Sequence, residues 1–141
     1  MRAGSSAISR ALVLILILAL GLRLGWALTR PATPSSLEQL PDQTEYLAVA
    51  QSLREGSGLS FIDPRFDDRV YAYRTPGYPI FLAAFDGNIR AIRVAQCLLD
   101  VSAVFAVFML ARLWLRPSMA LLAALVVALN PFLIYFCGLI L

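Results

Sequence analysis

Three long apolar runs, Ile8–Leu28, Ile89–Leu115 and Pro117–Leu141, restrict this chain more than any other feature. A helix needs roughly 20 mostly apolar residues, at about 1.5 Å each, to cross about 30 Å of hydrocarbon. Each run meets that requirement. Hydrophobic residues make up 60% of the sequence and charged residues 15%, with mean hydropathy +0.74, which is too apolar for a soluble domain of this size. The expected fold is therefore all-α and integral to a membrane. Three transmembrane helices over 8–28, 89–115 and 117–141 are joined by a long extracytoplasmic loop over 29–88 and by one tight turn.

The first run invites comparison with a cleaved signal peptide, because Arg2 and Arg10 precede its apolar core. The sequence after Gly21 continues as Leu-Arg-Leu-Gly-Trp-Ala-Leu without an Ala-x-Ala site, and two further runs follow, so a signal anchor is the expectation. Arg2 and Arg10 lie before the first run, while Arg112 and Arg116 bracket the turn between the second and third. Arginine on these flanks, with no acid beside it, places the N-terminus and that turn in the cytoplasm. The reading is a multi-pass protein of the cell (inner) membrane whose first loop faces the periplasm or other extracytoplasmic side. All 12 basic residues are arginine, a bias that fits GC-rich coding, and the net charge of +3 gives no reason to expect nucleic acid as a partner.

With no His and two Cys, the chain has no metal-binding cluster, and a divalent metal held by loop carboxylates has no support in the sequence. Cys97 and Cys137 fall at similar depth in the second and third runs. Buried free thiols in apolar helices are usually small core residues, and neither a disulfide nor a metal role is expected.

Within the loop, Pro31, Pro34 and Ser35-Ser36 mark an irregular exit from the first run. A short helix follows over about Gln43–Glu55, ended by Gly56 and Gly58. Its apolar positions Tyr46, Val49, Ala50 and Leu53 share one face, suited to a membrane surface or to the helix bundle. Leu59–Ile62 is a short apolar run, and Asp63–Arg69 a charged turn. Val70, Tyr71, Ala72 and Tyr73 read as extended chain, and Arg74-Thr75-Pro76-Gly77-Tyr78-Pro79 turns into a second short helix over Ile80–Phe85. Asp42 has two compatible readings. As the N-cap of a capping box with Glu45 at the third helical position it would stabilise the helix by about 1 kcal/mol. As a general base it would take a proton from a substrate.

Charge inside the runs is the second signal. Arg23 interrupts the first, while Arg93, Gln96 and Asp100 form one stripe on the second. Each ionisable group at that depth costs about 2.5–3.5 kcal/mol on insertion scales, so it should face a protein interior or a wet cavity. A packing network in which Arg93 or Arg23 neutralises Asp100 is the leading expectation, and a ligand role for the stripe the lesser one. Arg23 also has the length to snorkel toward headgroups. Pro131, after Asn130, should kink the third run.

The order of these features resembles the N-terminal part of polytopic GT-C glycosyltransferases, the group that includes protein mannosyltransferases, aminoarabinose transferases and RgtA/B/C/D-like enzymes. The likeness is carried by Arg23 late in the first run and by D-x-x-x-Y opening the loop (Asp42, Tyr46). It continues with G-x-G (Gly56, Gly58), R-x-P-G-Y-P (Arg74, Pro76, Gly77, Tyr78, Pro79), R-x-x-Q-x-x-L (Arg93, Gln96, Leu99) and N-P-x-x-I-Y (Asn130, Pro131, Ile134, Tyr135). It covers nearly the whole chain, and each motif is weak alone.

The resemblance implies inverting transfer of a sugar from a polyprenyl-phosphate donor to a glycan, lipid or protein acceptor, with Asp42 as the base and no cofactor. It also implies a cation at the lipid phosphate, for which Arg74 is the first candidate and Arg69 the second, with Tyr46 beside them. Many members carry a second acid directly after the first, where this chain has Gln43. Members also usually have many more spans, so the resemblance implies an N-terminal fragment that is inactive alone. Two other classes stay open: a small membrane protein packing on a larger partner through Arg93, Gln96 and Asp100, and a transporter fragment whose intramembrane charges line a path.

Overall fold

Stretches rich in Leu, Ala, Val and Ile make the two longest helices, and proline or glycine marks most of the other boundaries. The structure, a computed structural model, describes residues 2–71 and 74–141. In chain order the elements are α1 (Arg2–Thr29), α2 (Pro34–Leu37), α3 (Pro41–Arg54), β1 (Ser60–Asp63), β2 (Asp68–Tyr71), α4 (Gly77–Ala83), α5 (Ile89–Ala111), α6 (Pro117–Ala128) and α7 (Pro131–Phe136). They fall into two units. One holds α1 through Arg30 together with Arg93–Gly138, and the other holds Pro31–Ile92 with Leu139–Leu141.

In the first unit, Ile8, Leu12, Ile15, Leu16 and Ala19 make one stripe along α1. It packs with Ala120, Ala124 and Ala128 of α6 and with Val104 and Phe108 of α5. The three alanines, four residues apart and fully buried, let the backbones approach closely, as small residues do between apolar helices. Two stretches, Ser6–Thr29 and Ile89–Ala111, are long and apolar enough to cross a membrane. The third apolar run differs from the continuous span expected over Pro117–Leu141: it forms two helices, α6 of 12 residues and α7 of 6. Asn130, held in an extended conformation ahead of Pro131, ends the first helix. Its Oδ1 then accepts from the backbone N–H groups of Phe132, at 2.9 Å, and Leu133, at 3.3 Å, capping the second.

The second unit corrects two expectations. It is not purely helical, because β1 and β2 pair as an antiparallel hairpin, with Ser60 opposite Tyr71 and Asp63 opposite Asp68. The turn Pro64–Asp67 closes it, with Asp67 in the left-handed region at φ 50°. Ala72 and Tyr73 of the expected extended stretch lie outside the described residues.

The second correction is that Asp42 is not an N-cap. Leu40 holds the cap position without a side-chain bond, and Pro41 takes the first helical position, where its missing N–H costs nothing. Asp42 and Glu45 are thereby freed for other partners. At the other end of α3, Gly56 adopts φ 78°, and the N–H of Ser57 reaches the Ser52 carbonyl at 2.9 Å, a Schellman closure. The apolar face of α3 packs on α4. Ala50, Leu82, Ile92 and Ile140 form the centre, ringed by Tyr46, Tyr78, Phe81 and Phe85. The helix α4 starts at Gly77 rather than Ile80, directly behind Pro76.

Candidate functional site

The one-turn spacing of Asp42 and Glu45 puts both carboxylates on the same side of α3. Arg74, just ahead of α4, lies against them. Its Nη2 hydrogen-bonds both the Asp42 Oδ1 and the Glu45 Oε2, and its Nε reaches the Glu45 Oε2 at 3.1 Å. The guanidinium also lies over the Tyr46 ring, 4.9 Å from its centroid. Tyr46 in turn meets the edge of Tyr78 at 5.0 Å. Three residues singled out from the sequence, Asp42, Tyr46 and Arg74, thus converge.

The cluster extends through residues that sequence reasoning did not assign to it. Arg65 in the hairpin turn reaches Glu45 Oε1 at 3.5 Å and Asp63 Oδ2 at 2.6 Å. Asp63, Arg65, Glu45, Arg74 and Asp42 form a chain of alternating sign, three acids against two bases. The hydrogen bond from Arg65 holds the Asp63 carboxyl below its ordinary pKa. For Arg74, burial opposes the charge, but the bonds it donates to Glu45 and then to Asp42 outweigh it and raise its pKa. Burial raises that of Tyr78. The two ends of the Arg74 bridge differ in access. The Glu45 side chain is 14% exposed and that of Asp42 54%. Asp42 Oδ2 has no partner among the described residues.

Arg69 does not join this group. Its Nη1 donates to Ser60 Oγ at 3.1 Å, and Ser60 shares a 3.0 Å hydrogen bond with Ser52. Ser52 lies ten positions beyond Asp42 on α3, about 15 Å along the helix. Arg69 makes no ion pair among the described residues and borders a shallow groove with Gln51, Glu55 and Phe61. Arg74, by contrast, already satisfies two carboxylates. Of the two arginines, Arg74 is engaged by the carboxylates of Asp42 and Glu45, while Arg69 is held at Ser60. Gln43, where a second acid is common in the resembled family, is buried. Its amide bridges the Leu37 carbonyl at 3.4 Å and the Ile140 N–H at 3.0 Å, a structural task. Among the described residues no three metal-ligating side chains gather to hold an ion.

In the apolar unit the polar and charged residues divide. Arg23, fully buried, pairs with Asp100 and donates to the carbonyls of Ala19 at 3.2 Å, Ala128 at 2.8 Å and Val127 at 3.3 Å. It does not snorkel, and it supplies the last carbonyls of α6 with donors where Asn130 ends that helix. Arg93 instead turns to the Arg30 carbonyl at 2.7 Å, and Gln96 is half-buried. Cys97 and Cys137 are free thiols packed together with Ala27. Compared with protein-family models, curated proteins and solved structures, the chain matches none.

Proposed function

We infer that the chain is a module of a membrane glycosyltransferase. It would move a sugar, with inversion, from a polyprenyl-phosphate donor to an acceptor hydroxyl outside the cytoplasm. Membrane placement is supported by burial. Only 17% of the residues in the most apolar stretch of α1 or of α5 are buried, whereas the core helix of a soluble protein is mostly covered. Val13, Leu14 and Ile17 on α1 and Leu98, Leu99 and Met109 on α5 face outward instead. Arginine placement supports a topology with the loop unit outside.

The observation that carries the catalytic reading is the unequal bridge. Glu45 anchors Arg74 from the protected side, and Arg74 fixes one oxygen of Asp42 while the other stays accessible. In the reaction the acceptor oxygen attacks the anomeric carbon as its proton passes to Asp42. The bond from that carbon to the phosphate oxygen breaks, and the electron pair leaves with the polyprenyl phosphate. A carboxylate is a weak base for a hydroxyl, so proton transfer accompanies bond formation. The partner and transporter readings find less support, because Asp100 is engaged by Arg23 within its own unit.

The test is Asp42→Asn introduced at the source locus, followed by transfer of labelled sugar from polyprenyl-phosphate donors in isolated membranes. The expected loss is about 100-fold or more, the usual contribution of a general base, at unchanged abundance. Wild-type rates in the variant would sink the assignment.

A further inference from the structure

Arg23 of α1 meets Asp100 of α5 and the Ala128 carbonyl of α6, which sets those three residues at one level of the apolar unit. From there α1 runs back to Arg10, α5 forward to Arg112 and α6 back to Arg116, in each case about 18–20 Å of helix at about 1.5 Å per residue. The shared core of Ala19, Val104, Phe108, Ala120 and Ala124 keeps the three helices packed over that distance. Arg10, Arg112 and Arg116 therefore gather at one end of the unit, and all three are exposed. Asp100 is the one acid in the sequence of this unit, and it belongs to Arg23. It lies well beyond the roughly 8–10 Å over which exposed charges act at physiological salt. None of the three arginines makes an ion pair among the described residues.

Between Arg112 and Arg116 the chain turns through Leu113, Trp114 and Leu115, whose side chains are 70%, 74% and 48% exposed. Three consecutive apolar side chains held open and rimmed by charge mark a surface that meets an apolar partner. The N–H groups of Leu113, Trp114 and Leu115 donate to the carbonyls of Leu110 and Ala111 at 2.8–3.2 Å, and Pro117 has no N–H to satisfy. No N–H group at these four positions is left to be stranded where water is scarce. Both features fit one partner. A leaflet with acidic phospholipids offers anionic headgroups to the arginines and, just beneath them, the boundary at which tryptophan gathers. A nucleic acid would match the arginines but not the apolar turn. We propose that this end of the apolar unit docks on an acidic phospholipid leaflet, with Arg10, Arg112 and Arg116 at the headgroups and Trp114 in the boundary below them. The proposal rests on the membrane placement above and not on sugar transfer.

The experiment uses the full chain reconstituted in phosphatidylcholine vesicles with a minor fraction of phosphatidylglycerol. Acyl-chain bromine, a contact quencher of tryptophan, is carried by the phosphatidylglycerol in one preparation and by an equal fraction of the phosphatidylcholine in the other. The emission of Trp114 is the difference between the wild type and Trp114→Phe, which retains Trp26, the other of the two tryptophans. Brominated phosphatidylglycerol is expected to quench Trp114 more strongly than brominated phosphatidylcholine. Arg112→Gln and Arg116→Gln, at exposed and therefore safe positions, should each lower that preference about fivefold, the usual effect of one arginine on an anionic lipid surface. Equal quenching by the two lipids would overturn the proposal, as would an unchanged preference in the variants. So would a Trp114 quenched by aqueous iodide and by neither lipid. Shielding from bromine and iodide alike would give the turn to a second copy of the chain and overturn the proposal too. Carbonate washing of the vesicles checks membrane placement separately. A chain that washes off fails that reading and this one together, whereas a retained chain with equal quenching fails only this one.

Discussion

Arg23 and Arg74 are the same side chain in two different settings. Arg23 is fully buried in the apolar unit, where one carboxylate and three carbonyls use its donors. Arg74, in the loop unit, is 20% exposed, bridges two carboxylates and rests on an aromatic ring. In the first arrangement the guanidinium is fully enclosed, and its donors are used inside the protein. The second is asymmetric, since it fixes one oxygen of an exposed acid and leaves the other accessible. Burial separates a charge that holds helices together from one that fixes an exposed carboxylate.

Substitutions in both arrangements would break or sharpen that contrast. The largest effect belongs to the closed pair. Asp100→Ala strands a buried guanidinium and should cost about 3–5 kcal/mol, read as loss of folded protein in a detergent melting assay. Arg23→Leu combined with Asp100→Leu should recover much of that loss. If Asp100→Ala melts like the wild type, Arg23 is not the closed member of the comparison.

Next comes the anchor of the open cluster. Glu45→Gln removes the protected carboxylate from Arg74 and should lower stability by about 1–2 kcal/mol. Asp42→Asn, at the exposed end, should cost under about 1 kcal/mol. Equal melting of the two variants would erase the asymmetry on which the catalytic reading depends. The smallest effect is a pH dependence. Asp63 has its pKa depressed in the folded state, so its contribution is present above the ordinary carboxylate pKa and fades as pH falls through the lower folded value. The melting temperature of Asp63→Asn should therefore fall less steeply on acidification than that of the wild type, and parallel curves would deny the Asp63–Arg65 bond that role.

Much of this was legible in the residues. Apolar length located α1 and α5, and the Arg23–Asp100 pair was foreseen with Arg23 as one of two possible partners. The G-x-G signal marked the end of α3. The hairpin was missed because Ser60–Asp63 and Asp68–Tyr71 are short, charged and joined without an Asn-Gly turn. The capping box misled because Pro41 competes for the first turn and shifts the helix start, and only then do Asp42 and Glu45 turn to Arg74. Arg65 gave no local sign of its place, since it meets Glu45 across 20 residues of chain. The break at Asn130 was visible as a kink, but its depth depends on the cap formed by the Asn130 side chain.

The Gln43 amide has one more consequence, for the order in which the protein is made. It grips Ile140, which lies 97 positions later and is buried in the core of the loop unit. Residues 31–92 therefore leave the ribosome well before the side chain that completes their interior has been synthesised. Closing so long a chain segment is slow, because its entropy is lost before the contact is gained. Until then the interior of the loop unit lacks the Ile140 side chain, and its completion waits on that residue.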